Sequence, residues 1–203
     1  MSGAEGENSR FDRGALELFA RAVLHRANAA DAGADVARSS GGERGANTES
    51  PLVLSAGRAE PAELRALAGA GLRLEAFTEA APPKPLPLAG VQGAPPRLER
   101  QWQSSFLLLS LPRERYDGIW SHLALEALPP EGWQRMLGIY FAALKPGGLL
   151  FFSFRPSPAR PENEVASLLR QNGFQHLSRG EAEAPSANGD GASVVGYLAR
   201  RIA

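Results

Sequence analysis

Between residues 11 and 26 the apolar positions Ala15, Leu16, Phe19, Ala22 and Val23 recur at helical spacing, and Arg13, Glu17 and Arg21 fall on the opposite side. This is the pattern of a helix that buries one face. Over residues 28–50 the periodicity stops and Gly, Ser, Asn and charge take over, so the stretch reads as a flexible linker. It separates an N-terminal helix region, 1–27, from a domain spanning 51–203.

Order resumes at Pro51. Leu52–Gly57 reads as a short buried strand, Pro61 opens a helix carried by Leu64, Leu67 and Ala68, and Gly69 and Gly71 stop it before a second, alternating strand over Leu72–Phe77. Strand, turn, helix, glycine and strand within about 30 residues make a βαβ unit. Residues 80–96 hold six prolines and two glycines and are expected to form a long loop. The apolar run Ser105–Leu111 and the segment Tyr116–Trp120 are the next strand candidates. Trp133, Met136, Leu137, Tyr140, Phe141 and Leu144 then trace a helix over Pro130–Leu144. Lys145-Pro146-Gly147-Gly148 ends that helix and turns the chain into a buried strand, Leu149–Phe154. A helix over Pro161–Asn172 and strands over Phe174–Leu177 and Ser193–Arg201 follow, with Arg179–Gly191 as a hairpin connection. Seven strands alternating with helices predict a three-layer α/β sandwich. Its sheet is mostly parallel, with one antiparallel edge strand because the last two strands lack an intervening helix.

Composition narrows the chemistry. The 203 residues balance 22 Lys+Arg against 22 Asp+Glu, which leaves no broad electrostatic footprint for nucleic acid or an anionic membrane. There is no cysteine, which removes disulfides, thiolate metal sites and a Cys nucleophile. Three scattered histidines, His25, His122 and His176, do not suggest a metal cage. The longest apolar runs are far shorter than the roughly 20 residues of a membrane span, and the first residues carry no secretory pattern, so a cytoplasmic protein is expected. The 22 glycines and 16 prolines exceed the average of about 12% for the two together, and many lie in 28–50 and 80–96.

The run YDGIWSHLALEALPPEGWQRMLGIYFAALKPGGLLFFSFR, residues 116–155, resembles the second half of a class I S-adenosylmethionine-dependent methyltransferase of the small bacterial kind. The matching parts are Tyr116-Asp117 at a strand opening, Leu144-Lys145-Pro146-Gly147-Gly148 and the strand after it, with Asn172-Gly173-Phe174 further on. The resemblance implies a Rossmann-like methyltransferase fold, S-adenosylmethionine as cofactor, and methyl transfer to a small-molecule or protein acceptor. It also implies where the cofactor would sit. The family's first acid falls on Val53, and its three turn glycines on Ser55, Gly57 and Ala59; the ribose anchor falls on Thr78, with Glu79 next to it, and the adenine-side anchor near Ser105. One glycine of three is kept, and no acid stands at an expected place. This cofactor half is therefore degenerate, and the alternative is a catalytically inactive member of the fold that binds a partner or another ligand through the same crevice.

His122 follows a strand's carboxyl end, the edge at which open α/β sheets bind ligands. It is the one histidine placed for general-base work near neutral pH, or else a loop histidine without a role. Asp117 is expected to be structural. Trp133 is expected to pack in the core.

Overall fold

The computed structural model describes residues 9–38, 49–57, 61–78, 97–106, 108–184 and 192–202. Seven strands form one sheet: β1 (Leu52–Gly57), β2 (Arg73–Thr78), β3 (Leu98–Gln103), β4 (Tyr116–His122), β5 (Leu144–Phe154), β6 (Phe174–Ala184) and β7 (Ala192–Arg201). Their order is β3-β2-β1-β4-β5-β7-β6. Pairing is parallel from β3 to β5 and antiparallel on both sides of β7. The mixed, mostly parallel sheet is as expected, and the reversed strand lies one place in from the edge.

Helices α1 (Ser9–Arg38) and α2 (Pro61–Gly69) cover one face; α3 (Pro130–Ala143), α4 (Glu162–Gln171) and a 3-10 turn at Ala124–Ala127 cover the other. Strand alternation divides the core accordingly. Val53, Leu74, Trp120 and Phe151 pack with Leu16, Phe19, Val23, Leu64 and Leu67, while Leu54, Ile119, Phe152 and Phe154 pack with Trp133, Met136, Leu137, Tyr140, Val165 and Leu169. The N-terminal helix is thus part of the three-layer body. It lies so close to β4 that a Cβ on Gly118 would stand 2.8 Å from Phe19 Cζ and 2.9 Å from Val23 Cγ2.

Three expectations are corrected. Helix α1 continues through Arg38, across the first 11 residues of the expected linker; alanines at 27, 29, 30, 32, 34 and 37 supply helix propensity where the apolar period has ended. The third strand is Leu98–Gln103, not Ser105–Leu111. An edge strand tolerates charge, so LERQWQ carries no apolar signal, whereas Phe106 and Leu109 are core residues of a loop. The K-P-G-G turn is absorbed into the start of β5, where pairing with β4 shifts between Tyr116 and Gly118. Residues 80–96 lie outside the described residues.

The amino-terminal end of the sheet is held by buried charge. Asp117 Oδ2 accepts a hydrogen bond from the Leu52 amide at 3.0 Å and from Lys145 Nζ at 2.9 Å, and Arg26 Nη1 lies 3.3 Å from Oδ1. Arg26 also donates to the Pro146 carbonyl at 2.5 Å. Lys145, part of the helix stop, is thereby a structural cation as well. On β2, two strands from β4, Glu75 accepts from Arg115 and, at 2.6 Å, from the Tyr116 hydroxyl. Burial by itself pushes the Glu75 carboxyl up, but the Arg115 and Tyr116 hydrogen bonds outweigh it and hold it below the usual range. The same contact and burial push the Tyr116 hydroxyl up.

Asp117→Ala leaves a buried amide and two cations without their acceptor, and is expected to cost about 3 kcal/mol in denaturant unfolding. A loss under about 1 kcal/mol would contradict the role assigned to this carboxylate. Glu75 has a lowered folded-state pKa, so its contribution is complete above the ordinary carboxyl pKa and is lost as pH falls through the lower folded value. Glu75→Gln should therefore flatten the decline of stability below about pH 4.5 while lowering stability at pH 7. Parallel acid limbs for the two proteins in melts from pH 7 to pH 3 would refute this.

Candidate functional site

In a parallel sheet every strand's carboxyl end emerges on one edge, and loops there converge. Four neighbouring strands place the residues singled out in the sequence in a row along that edge: Ser105 just beyond β3, Thr78 ending β2, Gly57 ending β1 and His122 ending β4.

Gly57 pairs with Thr78 across the strands and has φ of +109°, a left-handed conformation that favours glycine. A Cβ there would lie 2.9 Å from Ala124 Cα and closer still to its Cβ. The end of β1 is therefore pinched between β2 and the 3-10 turn that follows β4, and only backbone fits at this point. Ser55, two residues earlier, is completely buried, and its Oγ has no hydrogen-bond partner. Its cross-strand neighbour Trp120 is also buried with an unpartnered Nε1. Two adjacent orphaned polar atoms on one face of the sheet are unusual, because buried polar groups are nearly always paired. Thr78 is buried, and Ser105 is partly buried, its carbonyl accepting from Ser104 Oγ at 3.3 Å. Ala59 and Glu79 lie outside the described residues.

His122 is half-buried at the end of β4. Its Nδ1 is 2.8 Å from Ser153 Oγ on β5, and Ser153 Oγ also accepts the Leu123 amide at 3.1 Å. Ser153 is fully buried. Ser153 Oγ keeps its own proton and a second lone pair, so it can donate to Nδ1 or accept from it, and either way the contact fixes the orientation of the His122 ring. Leu123 itself has φ of 49° and ψ of 17°, a left-handed conformation that costs a non-glycine residue about 1 kcal/mol or more. The strain sharpens the corner that carries His122. The His122 ring stacks on Trp120 at 6.1 Å between centroids, and Trp120 stacks on Phe151 at 4.0 Å with 11° between planes.

A second cluster, not singled out in the sequence, stands beside this corner. Glu126 accepts from the Arg155 amide at 2.8 Å and from its guanidinium at 2.6 Å. Arg160 donates to the Leu128 carbonyl at 2.5 Å and lies 4.8 Å above the Trp133 ring. Trp133 Nε1 donates to the Leu125 carbonyl at 2.6 Å. The signal that could have pointed to it is a carboxylate four residues past His122 and an arginine directly after β5, opposite charges at neighbouring strand ends. Glu63, in the first turn of α2, is a further buried carboxylate at this edge. Among the described residues no group of three His, Asp or Glu is placed to hold a metal ion, and no helix is long and apolar enough to cross a membrane.

These groups fit S-adenosylmethionine through backbone and hydroxyls. The Gly57 turn admits close approach, and the unpartnered Ser55 Oγ leaves hydrogen-bonding capacity beneath it. Thr78 and Ser105, at the positions the resemblance gives to the ribose and adenine-side anchors, carry no charge. Gly57→Ala puts a methyl group into Ala124 and strains φ, and is expected to destabilise the fold by about 2 kcal/mol or more. Ala124→Gly should recover part of that loss in the double variant, and thermal melts showing no recovery would refute the contact.

No protein-family model matches the chain, and neither does any curated protein sequence. Solved structures share its fold. The 1,6-didemethyltoxoflavin-N1-methyltransferase of Burkholderia thailandensis, with 1,6-didemethyltoxoflavin and S-adenosylhomocysteine bound, superposes with a TM-score of 0.62 at 23% identity, covering 98% of this chain and 83% of that one. The N-methyltransferase NodS of Bradyrhizobium japonicum WM9 gives 0.57 at 18% identity, covering 75% and 86%. The [4+2]-cyclase SpnF gives 0.57 at 16% identity over 75% of each chain.

Proposed function

We propose that this Rossmann-like methyltransferase fold binds S-adenosylmethionine and transfers its methyl group to a small-molecule or protein acceptor in the cytoplasm. The observation that carries the reading is the left-handed Gly57 turn over the unpartnered Ser55 hydroxyl, at the centre of the row from Ser105 to His122. Support also comes from two methyltransferases among the structural neighbours, one of them with S-adenosylhomocysteine bound. SpnF shows that fold similarity alone does not decide the chemistry.

When bound, S-adenosylmethionine supplies an electrophilic methyl on a sulfonium. The Gly57 backbone, Ser55 and the residue at position 59 would hold its amino-acid end, Thr78 and Glu79 its ribose, and Ser105 its adenine side. Proximity and alignment of the acceptor supply most of the acceleration in such a site. His122, its ring oriented by Ser153 through Nδ1, would turn Nε2 toward an acceptor atom, as hydrogen-bond donor or as auxiliary general base according to its tautomer.

Calorimetric titration with S-adenosylhomocysteine tests the reading. Binding should raise the melting temperature by mass action, and Ser55→Val, which removes the hydroxyl, should weaken it about tenfold. No heat and no melting shift at millimolar ligand would leave the alternative, a non-catalytic binding module. Ser153→Ala removes the partner of Nδ1 and should shift the His122 tautomer balance in nitrogen-15 NMR; an unchanged balance would overturn the positioning role given to Ser153.

A further inference from the structure

On the α1 face, away from the row just described, the sheet is not fully covered. Between α1 and the β5-β7-β6 end lies a trough of about 320 Å3, within the size range of small-molecule sites. Leu18 and Phe19 of α1 form one wall, Phe151 and Leu198 the floor near β5, and Gly180 and Gly196 the floor further out.

The two glycines are informative. They are directly paired across β6 and β7, and neither is among the positive-φ residues, so the backbone would accept a side chain at both. A glycine inside a strand weakens it and often marks a place where a ligand or another backbone comes close. Two facing each other remove the side-chain layer of the sheet over one patch and leave flat peptide planes. Apart from Ser178 and Arg179 the rest of the lining is apolar and partly aromatic. Phe151 is held by its stack on Trp120, and Leu18 keeps 52% of its surface exposed at the rim. The one charged residue of the lining, Arg179, has its guanidinium engaged by Glu162 on α4 and by Glu181. The Arg179 hydrogen bond, with a second from the Tyr197 hydroxyl, holds the Glu162 carboxyl down to about 2. The trough therefore offers two faces for a flat ring and no free charge.

We propose that this trough is a binding site for an uncharged, planar aromatic small molecule of one or two rings, separate from the crevice at the strand ends. A charged ligand would lose its hydration without gaining a partner. A helix is too wide for the volume, since its side chains span about 10 Å. The ring would lie on the Gly180 and Gly196 backbone with its edge toward Phe19 and Phe151.

The test uses the full chain and 2-naphthol as the probe, followed by calorimetry and amide chemical shifts at neutral pH, where the probe is uncharged. Binding at submillimolar concentration is expected, with shifts centred on Gly180, Gly196 and Leu18. Gly196→Val, which fills the floor, should weaken it at least tenfold. Ala15→Trp, which fills the trough from the helix side, should do the same should the strand variant fold poorly. Saturating S-adenosylhomocysteine should leave the affinity unchanged, so a failure of the proposed cofactor site leaves this site standing. Three results would overturn the inference: no binding at millimolar probe, affinity indifferent to both filling variants, or a wild-type dimer in sedimentation that Gly196→Val dissociates, showing that a second copy covers the trough.

Discussion

Asp117 gathers contacts from three parts of the chain that are far apart in sequence. The Leu52 amide opens β1, Lys145 sits in the turn from α3 to β5, and Arg26 comes from α1. Each donor could be satisfied by water in the unfolded chain, so the carboxylate gains by collecting all of them at one point. That point is the second residue of β4, the central strand of seven. Fixing it fixes the register of β1 against β4 and of α1 against both. The close approach of Phe19 and Val23 to Gly118, one residue further on, depends on the same alignment. Displacing α1 along the strand would drive these side chains into Trp120, the next residue of β4 on the same face.

The effect reaches the opposite end of the sheet because strands are stiff and nearly straight over six or seven residues. With Val53 paired to Gly118 and Ser55 to Trp120, the end of β1 stands beside the 3-10 turn after β4, and Gly57 meets Ala124. A slip of one residue would turn Ser55 to the α3 face and bury Ala56 under α1. The hydroxyl row at the carboxyl edge is thus set by a salt-bridged carboxylate roughly 15–20 Å away, at the rise of about 3.3 Å per residue.

Much of this was readable in the sequence because it repeats local rules. The α3 stripe, the K-P-G-G stop and the alternation around Leu52–Gly57 each decide their own conformation. Asp117 was recognisable as structural, but its partners were not, since Arg26 lies 91 residues away and no local pattern pairs them. Strand β3 escaped for a related reason. Its conformation comes from pairing with β2 at the edge, not from apolar spacing of its own, while Phe106 and Leu109 mimic a strand and serve the core from a loop. The helix over residues 28–38 is the reverse case, propensity persisting where periodicity fails. Of the site residues named by alignment of motifs, Gly57, Thr78 and His122 end strands, while Ser105 follows β3 where it was expected to open a strand. The Ser153 contact that orients the His122 ring, and the pairing of Glu126 with Arg155, depend on which strands are neighbours, which spacing does not reveal.

Within strands β2, β1, β4 and β5 the carboxylates and the hydroxyls stand at opposite ends. The carboxylates of Asp117 and Glu75 lie toward the amino end of the sheet with arginine, lysine and tyrosine partners, while Ser55, Thr78, Ser105 and Ser153 at the other end are hydroxyls. A hydroxyl anchors a ribose or an amine with about half the strength of a carboxylate, so the cofactor proposed for this edge would be held more by shape and backbone than by charge. Gly57 gains importance accordingly. Where side-chain anchors are weak, the one turn that only glycine can make carries a larger share of the binding geometry, and the close contact with Ala124 keeps that turn from relaxing.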